Sequence, residues 1–140
     1  MSTVYLSLGS NLGDRLLYIQ KALTELKACG LMVLKLSNVI ETDPVGGPIQ
    51  GKYLNAVLKA STIHSPEELH VITQGIERKL GRVKNIINGP RVIDIDILLY
   101  DDIKLTTPKL LIPHPRMLER SFVMLPLGQI EPVLCASLKP

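Results

Sequence analysis

Strand, helix, strand, strand, helix, strand is the order of the clearest patterns in this chain, and that order predicts an α+β, ferredoxin-like domain. Two further observations support it: two separate apolar stripes at helical spacing, and two runs of strict alternation, one from Tyr53 and one from Val92. The expected architecture is an antiparallel sheet with two helices on one face. The other face is left open beneath loops to carry an active site. A length of 140 residues suits one domain over 1–140.

Val4 to Leu8 is short, apolar and followed by Gly9, Ser10, Asn11 and Gly13, which predicts a buried first strand and a turn. Leu16, Ile19, Leu23 and Leu26 then recur at helical spacing until Gly30, a natural left-handed stop. From Met32 to Glu41 the apolar residues lose helical period and predict one strand. Pro44, Gly46, Gly47, Pro48 and Gly51 follow as a loop suited to act as a lid. From Tyr53 to Ser61, alternation puts Leu54, Ala56, Leu58 and Ala60 on one face and Tyr53, Asn55, Val57 and Lys59 on the other.

Ser65, Pro66 and Glu68 have the spacing of a helix start with a capping box, and Leu69, Ile72, Ile76 and Leu80 give that helix its buried stripe up to Gly81. A second polar loop runs through Asn88 and Gly89. Val92 to Leu99 is then the strongest strand signal, with Ile93, Ile95, Ile97 and Leu99 expected on one face and Asp94 and Asp96 on the other. Beyond Pro113 the chain is interrupted by prolines, and Met117 to Ile130 predicts one or two short helices.

Composition narrows the function. The hydrophobic fraction of 46% and charged fraction of 21% are those of an ordinary folded domain. A net charge of +3 without a dense basic block disfavours nucleic acid as a partner. No apolar run approaches the roughly 20 residues of a membrane-spanning helix, and polar residues from Ser10 onward break up any leader pattern, so a cytoplasmic location is expected. Cys29 and Cys135 form no metal-binding pair, which suits free thiols.

Asp94 and Asp96 are two residues apart on a strand, so their side chains leave the same face about 6.6 Å apart along it. On the residues alone, two readings stay open: a solvated face of acids paired with surface cations, or hard ligands for magnesium, which takes one or two carboxylates and completes its shell with water and phosphate. Gly89-Pro90-Arg91 just before the strand, with Arg82, Lys84, His114, Arg116 and Arg120 a loop or turn away, favours a metal-bound polyphosphate, because arginine forks neutralise the oxygens that ions leave free. Tyr53 and Asn55 share the open face, where the ring can stack on a flat heterocycle and the amide can meet its edge. Phe122 can supply the opposite side, although a lone aromatic serves equally well as core. Gln74 and Glu77 lie one turn apart on the polar side of the second helix.

Leu8-Gly9-Ser10-Asn11-Leu12-Gly13, Tyr53-Leu54-Asn55, the run from Gly89 through Asp94 and Asp96 to Leu98, and Pro113-His114-Pro115-Arg116-Met117 together resemble the hydroxymethyldihydropterin pyrophosphokinases of folate biosynthesis. The resemblance implies an ATP- and Mg2+-dependent diphosphotransferase acting on 6-hydroxymethyl-7,8-dihydropterin and releasing AMP. It implies that Asp94 and Asp96 hold two magnesium ions, and that Arg82 and Arg91 join them as catalytic residues. It places Gln74, Glu77, Lys84, Arg91, His114, Arg116 and Arg120 at the nucleotide. Thr42, Pro44, Val45, Tyr53, Asn55 and Phe122 would then line the pterin pocket. A monomer with no macromolecular partner is expected. The chain departs from the family in carrying Asn88 where an aromatic residue is usual, after Ile86 and Ile87.

Overall fold

The computed structural model describes residues 1–82 and 89–138. Its main sheet contains β1 (Ser2–Ser10), β2 (Met32–Leu36), β3 (Ile40–Thr42), β4 (Tyr53–Thr62) and β5 (Asp94–Tyr100). The order across it is β2-β4-β1-β5, every pair is antiparallel, and β3 shares the β4 edge with β2. With α1 (Arg15–Ala28) after β1 and α2 (Pro66–Lys79) after β4, this is the ferredoxin-like arrangement.

The expected helix signals form. Gly30 follows α1 in left-handed conformation at φ 95°, and Asp14, which was not singled out from the sequence, caps the helix by accepting the Leu17 N–H at 3.2 Å. Ser65 and Glu68 close a reciprocal capping box at 3.2 and 2.9 Å, with Pro66 in the first turn, where no donor is needed. Ile19, Ala22 and Leu26 of α1 and Leu69 and Ile76 of α2 pack with Leu6, Leu8, Leu58, Ile95 and Ile97 in one cluster, so both helices cover the same face of the sheet.

Three departures from the expected elements have local causes. The run 32–41 is two strands, because Ser37 turns inward between them. Its N–H donates to the Val57 carbonyl and its hydroxyl accepts the Val57 N–H, both at 2.9 Å. Leu105–Thr106 and Leu111–Ile112 pair as a small hairpin, β6 and β7, too short to show alternation. Leu99 lies on the face opposite to the one expected. β1 pairs Leu6 with Ile97 but Tyr5 with Leu99, so Leu98 is an extra residue, a β-bulge that shifts the alternation by one.

That second face is only partly open. Tyr5, Val57, Leu98 and Leu99 pack there with Met117, Val123, Leu127 and Cys135. The covering elements are a 3-10 turn at Met117–Glu119, α3 (Ser121–Ile130) and α4 (Pro132–Leu138). They leave clear the end of the sheet where Gly9 lies between Asn55 and Asp94.

Candidate active site

On the uncovered end, side chains from three strands floor a hollow of about 460 Å³. Along β1 the residues that share this face shrink from Tyr5, buried in the second cluster, to Ser7 and then Gly9, both lining the hollow. Ser7 lies opposite Asp96, and Gly9 opposite both Asp94 and Asn55. A Cβ on Gly9 would stand 3.0 Å from Asn55 Oδ1 and 3.4 Å from Tyr53 Cδ1, so the bare backbone there is what lets these two side chains lie over the central strand.

Asp94 and Asp96 line one side of the hollow. Burial, then the charges of Asp94 and Glu77, push the Asp96 carboxyl up to about 7. Glu77 is buried inside the fold, although its place on the polar side of α2 suggested exposure; only 6% of it remains accessible. Its Oε2 accepts the Ile95 N–H at 2.8 Å, between the two aspartates, and Arg82 Nη1 at 2.7 Å. Arg82 Nη1 also reaches Asp94 Oδ1 at 3.2 Å. Burial raises the Glu77 pKa, while the Ile95 N–H and Arg82 oppose the rise.

Three further arginines and a histidine share the hollow with these acids. Arg91, His114, Arg116 and Arg120 all line the hollow. His114 hangs from the bulge, its N–H donating to the Leu98 carbonyl at 2.9 Å. Its Nδ1 accepts the Arg116 N–H at 3.2 Å, and because a backbone N–H can only donate, the ring proton of the neutral form belongs on Nε2. Burial and the neighbouring Arg120 lower the His114 pKa and favour that neutral form. Arg120 lies 5.5 Å from the Phe122 ring centroid, within cation–π range.

Thr42, Pro44, Val45, Tyr53, Asn55 and Phe122 close the remaining wall. Asn55 Nδ2 donates to Thr42 Oγ1 at 2.6 Å, which ties β4 to the base of the 43–52 loop. Arg15 fastens the same base from outside, bonding Glu41 Oε2 at 2.8 Å and the Lys52 carbonyl at 2.9 Å. Thirteen residues expected at the site therefore meet in one hollow. Gln74 is exposed and Glu77 lies behind the β5 strand; neither lines it. Lys84 and Asn88, the latter in the second expected polar loop, lie outside the described residues. Ser7, Gly9, Asp43 and Gln50 also line the hollow. The period-two partners of Tyr5 would have indicated Ser7 and Gly9 from the sequence.

The profile of the family described as 7,8-dihydro-6-hydroxymethylpterin-pyrophosphokinase (HPPK) matches residues 5–132. The chain is 44% identical over 127 residues to the 2-amino-4-hydroxy-6-hydroxymethyldihydropteridine pyrophosphokinase of Bacillus subtilis, covering 90% of this chain and 76% of that one. It is 47% identical over 132 residues to the enzyme of the same name from Aquifex aeolicus, covering 94% and 82%. Among solved structures, an HPPK-DHPS in complex with substrates superposes with a TM-score of 0.69 at 16% identity, a likeness of fold alone. It covers 94% of this chain, which spans 40% of that longer one.

Proposed function

The chain belongs to the 7,8-dihydro-6-hydroxymethylpterin-pyrophosphokinase family, and from that premise we infer that the hollow on the sheet is where its reaction takes place. The enzyme transfers diphosphate from ATP to the hydroxymethyl group of 6-hydroxymethyl-7,8-dihydropterin, giving the pterin diphosphate and AMP in folate synthesis. The observation that carries the placement is the division of the hollow into two chemically different walls. Acids and arginines face a wall made by Tyr53, Asn55 and Phe122. A polyphosphate suits the first and a flat, hydrogen-bonding heterocycle the second.

Asp94 and Asp96 are assigned as the ligands of two Mg2+ ions. The donor set fits: both are oxygen donors, and the fold sets Asp96 beside the further acids Asp94 and Glu77, whose charges add to burial in raising its pKa. No cluster of three potential ligands occurs among the described residues. None is needed, because magnesium keeps water and substrate phosphate in its shell. Bound magnesium supplies neutralisation of the polyphosphate and makes a coordinated hydroxyl more acidic.

The protein's own part is positioning. Arg82, held by Glu77, and Arg91 serve as catalytic cations on the transferred group, and His114 offers its Nε2–H to phosphate. Lys84, Arg116, Arg120, Gln74 and Glu77 complete the assigned nucleotide side, Glu77 acting from behind by holding Arg82 and the β5 backbone. Tyr53 and Phe122 clasp the pterin ring, while Asn55, Thr42, Pro44 and Val45 meet its edge. The 43–52 loop excludes water that would compete with the pterin hydroxyl for the β-phosphorus. Residues 1–140 are read as one pterin pyrophosphokinase domain, monomeric and cytoplasmic, with no nucleic acid or membrane partner. No helix among the described residues is long and apolar enough to cross a membrane.

A product assay tests the reading. With ATP, Mg2+ and 6-hydroxymethyl-7,8-dihydropterin the chain should form AMP only when all three are present, and Asp96→Ala should lower turnover by a factor on the order of 10³ while the far-UV spectrum is retained. ADP or pterin-independent phosphate as the product would overturn it. Undiminished turnover in Asp96→Ala would remove the metal assignment.

A further inference from the structure

Asp94 and Asp96 leave the same face of β5, yet only one of them is held. Arg82 Nη1 reaches Asp94 Oδ1 at 3.2 Å. The Asp96 carboxylate feels burial and the charges around it but accepts no hydrogen bond among the described residues. Because β5 is an edge strand, β1 alone flanks it in the sheet. The β1 residue opposite Asp96 is Ser7, in a stretch where pairing runs regularly from Leu6–Ile97 to Gly9–Asp94. Residues directly opposite share a face with their Cβ atoms about 5 Å apart, and both of these side chains line the hollow. The Ser7 hydroxyl, too, has no hydrogen-bond partner among the described residues. Its other cross-strand neighbour is Val57, which is apolar. On the same face of β1, Tyr5 is packed into the second cluster and Gly9 has no side chain. Among its strand neighbours, Asp96 is therefore the acceptor that this hydroxyl can meet.

A carboxylate that serves as a metal ligand is ordinarily fixed by a hydrogen bond from outside the coordination shell, which sets its orientation and costs affinity when removed. Arg82 is placed to do this for Asp94. We propose that Ser7 is a positioning residue that does it for Asp96: its O–H donates to one carboxylate oxygen, fixes the side-chain rotamer and leaves the remaining lone pairs to Mg2+. The proposal rests on the assignment of Asp94 and Asp96 as metal ligands made above. A hydroxyl suits this place in two ways. It is neutral, so it donates a charge-assisted bond without setting a second positive charge against the cation, as an arginine would. It is also short, so the floor of the hollow stays low beside Gly9, where the substrates must meet.

The test uses Mn2+ as a paramagnetic probe of the Mg2+ site. The chain is mixed with an equimolar amount of adenosine 5′-(α,β-methylene)triphosphate, in which carbon replaces the bridging oxygen of the bond that breaks. The Mn2+ concentration at half-saturation is read from the loss of the free-ion resonance, against the nucleotide alone. Ser7→Ala and Ser7→Val remove the hydroxyl and should raise that concentration about tenfold to a hundredfold, as when an outer partner of a metal ligand is lost. Ser7→Thr matches Val in shape but keeps the hydroxyl, and it should stay close to wild type. This pair carries the test if Ser7→Ala does not fold. A merely structural role would shift the melting temperature of the nucleotide-free chain and leave half-saturation in place. Unchanged half-saturation in the folded Ala or Val variants overturns the proposal, and so does an equal rise in Thr and Val. A wild type that takes up no more Mn2+ than the nucleotide alone would instead overturn the metal assignment, and one that fails to make pterin-dependent AMP the functional reading beneath it.

Discussion

Tyr53 and Gly9 bear on the same ligand for opposite reasons, one by filling space and one by leaving it. Tyr53→Ala removes the ring proposed to stack on the pterin, and the pterin KM is expected to rise on the order of a hundredfold with little change in that for ATP. Gly9→Ala inserts a methyl 3.0 Å from Asn55 Oδ1, and the pterin KM should rise at least about tenfold, again with ATP spared. Steady-state kinetics with each substrate varied in turn checks both, and an equal rise for the two substrates would count against the pterin wall. At this scale the sequence exposed the charged residues, whose types announce their chemistry, and the alternation that pairs Tyr53 with Asn55. Alternation puts Gly9 on the same face as Tyr5, but the sequence did not show that its absent side chain makes room for Asn55. Glu77 was readable as acid but not as buried, because helical periodicity puts it on the polar side and only the closeness of β5 encloses it.

Among elements, the junction between α3 and α4 depends on one acid. Glu131 Oε1 accepts Lys59 Nζ of β4 at 2.8 Å and Lys35 Nζ of β2 at 3.2 Å, pinning the covering helices to the sheet edge. The bond from Lys59, then that from Lys35, lowers the Glu131 pKa below its ordinary 4.5. Such a group adds stability that is fully present above pH 4.5 and is lost as pH falls through the lowered folded value. Glu131→Gln should therefore melt at a lower temperature than wild type near neutrality, with the difference shrinking in acid. A difference that persists unchanged well below pH 4.5 would show that the charge is not what matters. The bond to Glu131 also raises the Lys59 pKa above 10.5, so the difference should narrow again in strong alkali. The start of α2 and the ends of α1 and α2 were legible because Ser65, Gly30 and Gly81 act locally. The break at Ser37 and the role of Glu131 were not, since each depends on a partner strand far along the chain.

For the whole molecule, both apolar clusters share one sheet, so neither can unfold alone without exposing the other's floor. One cooperative thermal transition is expected by calorimetry, together with a sedimentation coefficient for a monomer. Two transitions would mean that α3 and α4 form a separate unit. The ferredoxin-like plan was legible from element order. The half-covering of the second face was not, because short elements carry weak periodicity and the bulge at Leu98 breaks the alternation that would have foretold it. That bulge amounts to an insertion the sheet has absorbed. A chain shortened by Leu98 would pair Leu6–Ile97 and Tyr5–Leu99 as regular neighbours, every flanking residue keeping its present face. What it would lose is the carbonyl from which His114 is suspended. Deletion of Leu98 is thus expected to give a folded but less stable protein whose KM for ATP rises more than its KM for pterin, an imperfection in the weave that serves as the peg for a side chain from elsewhere.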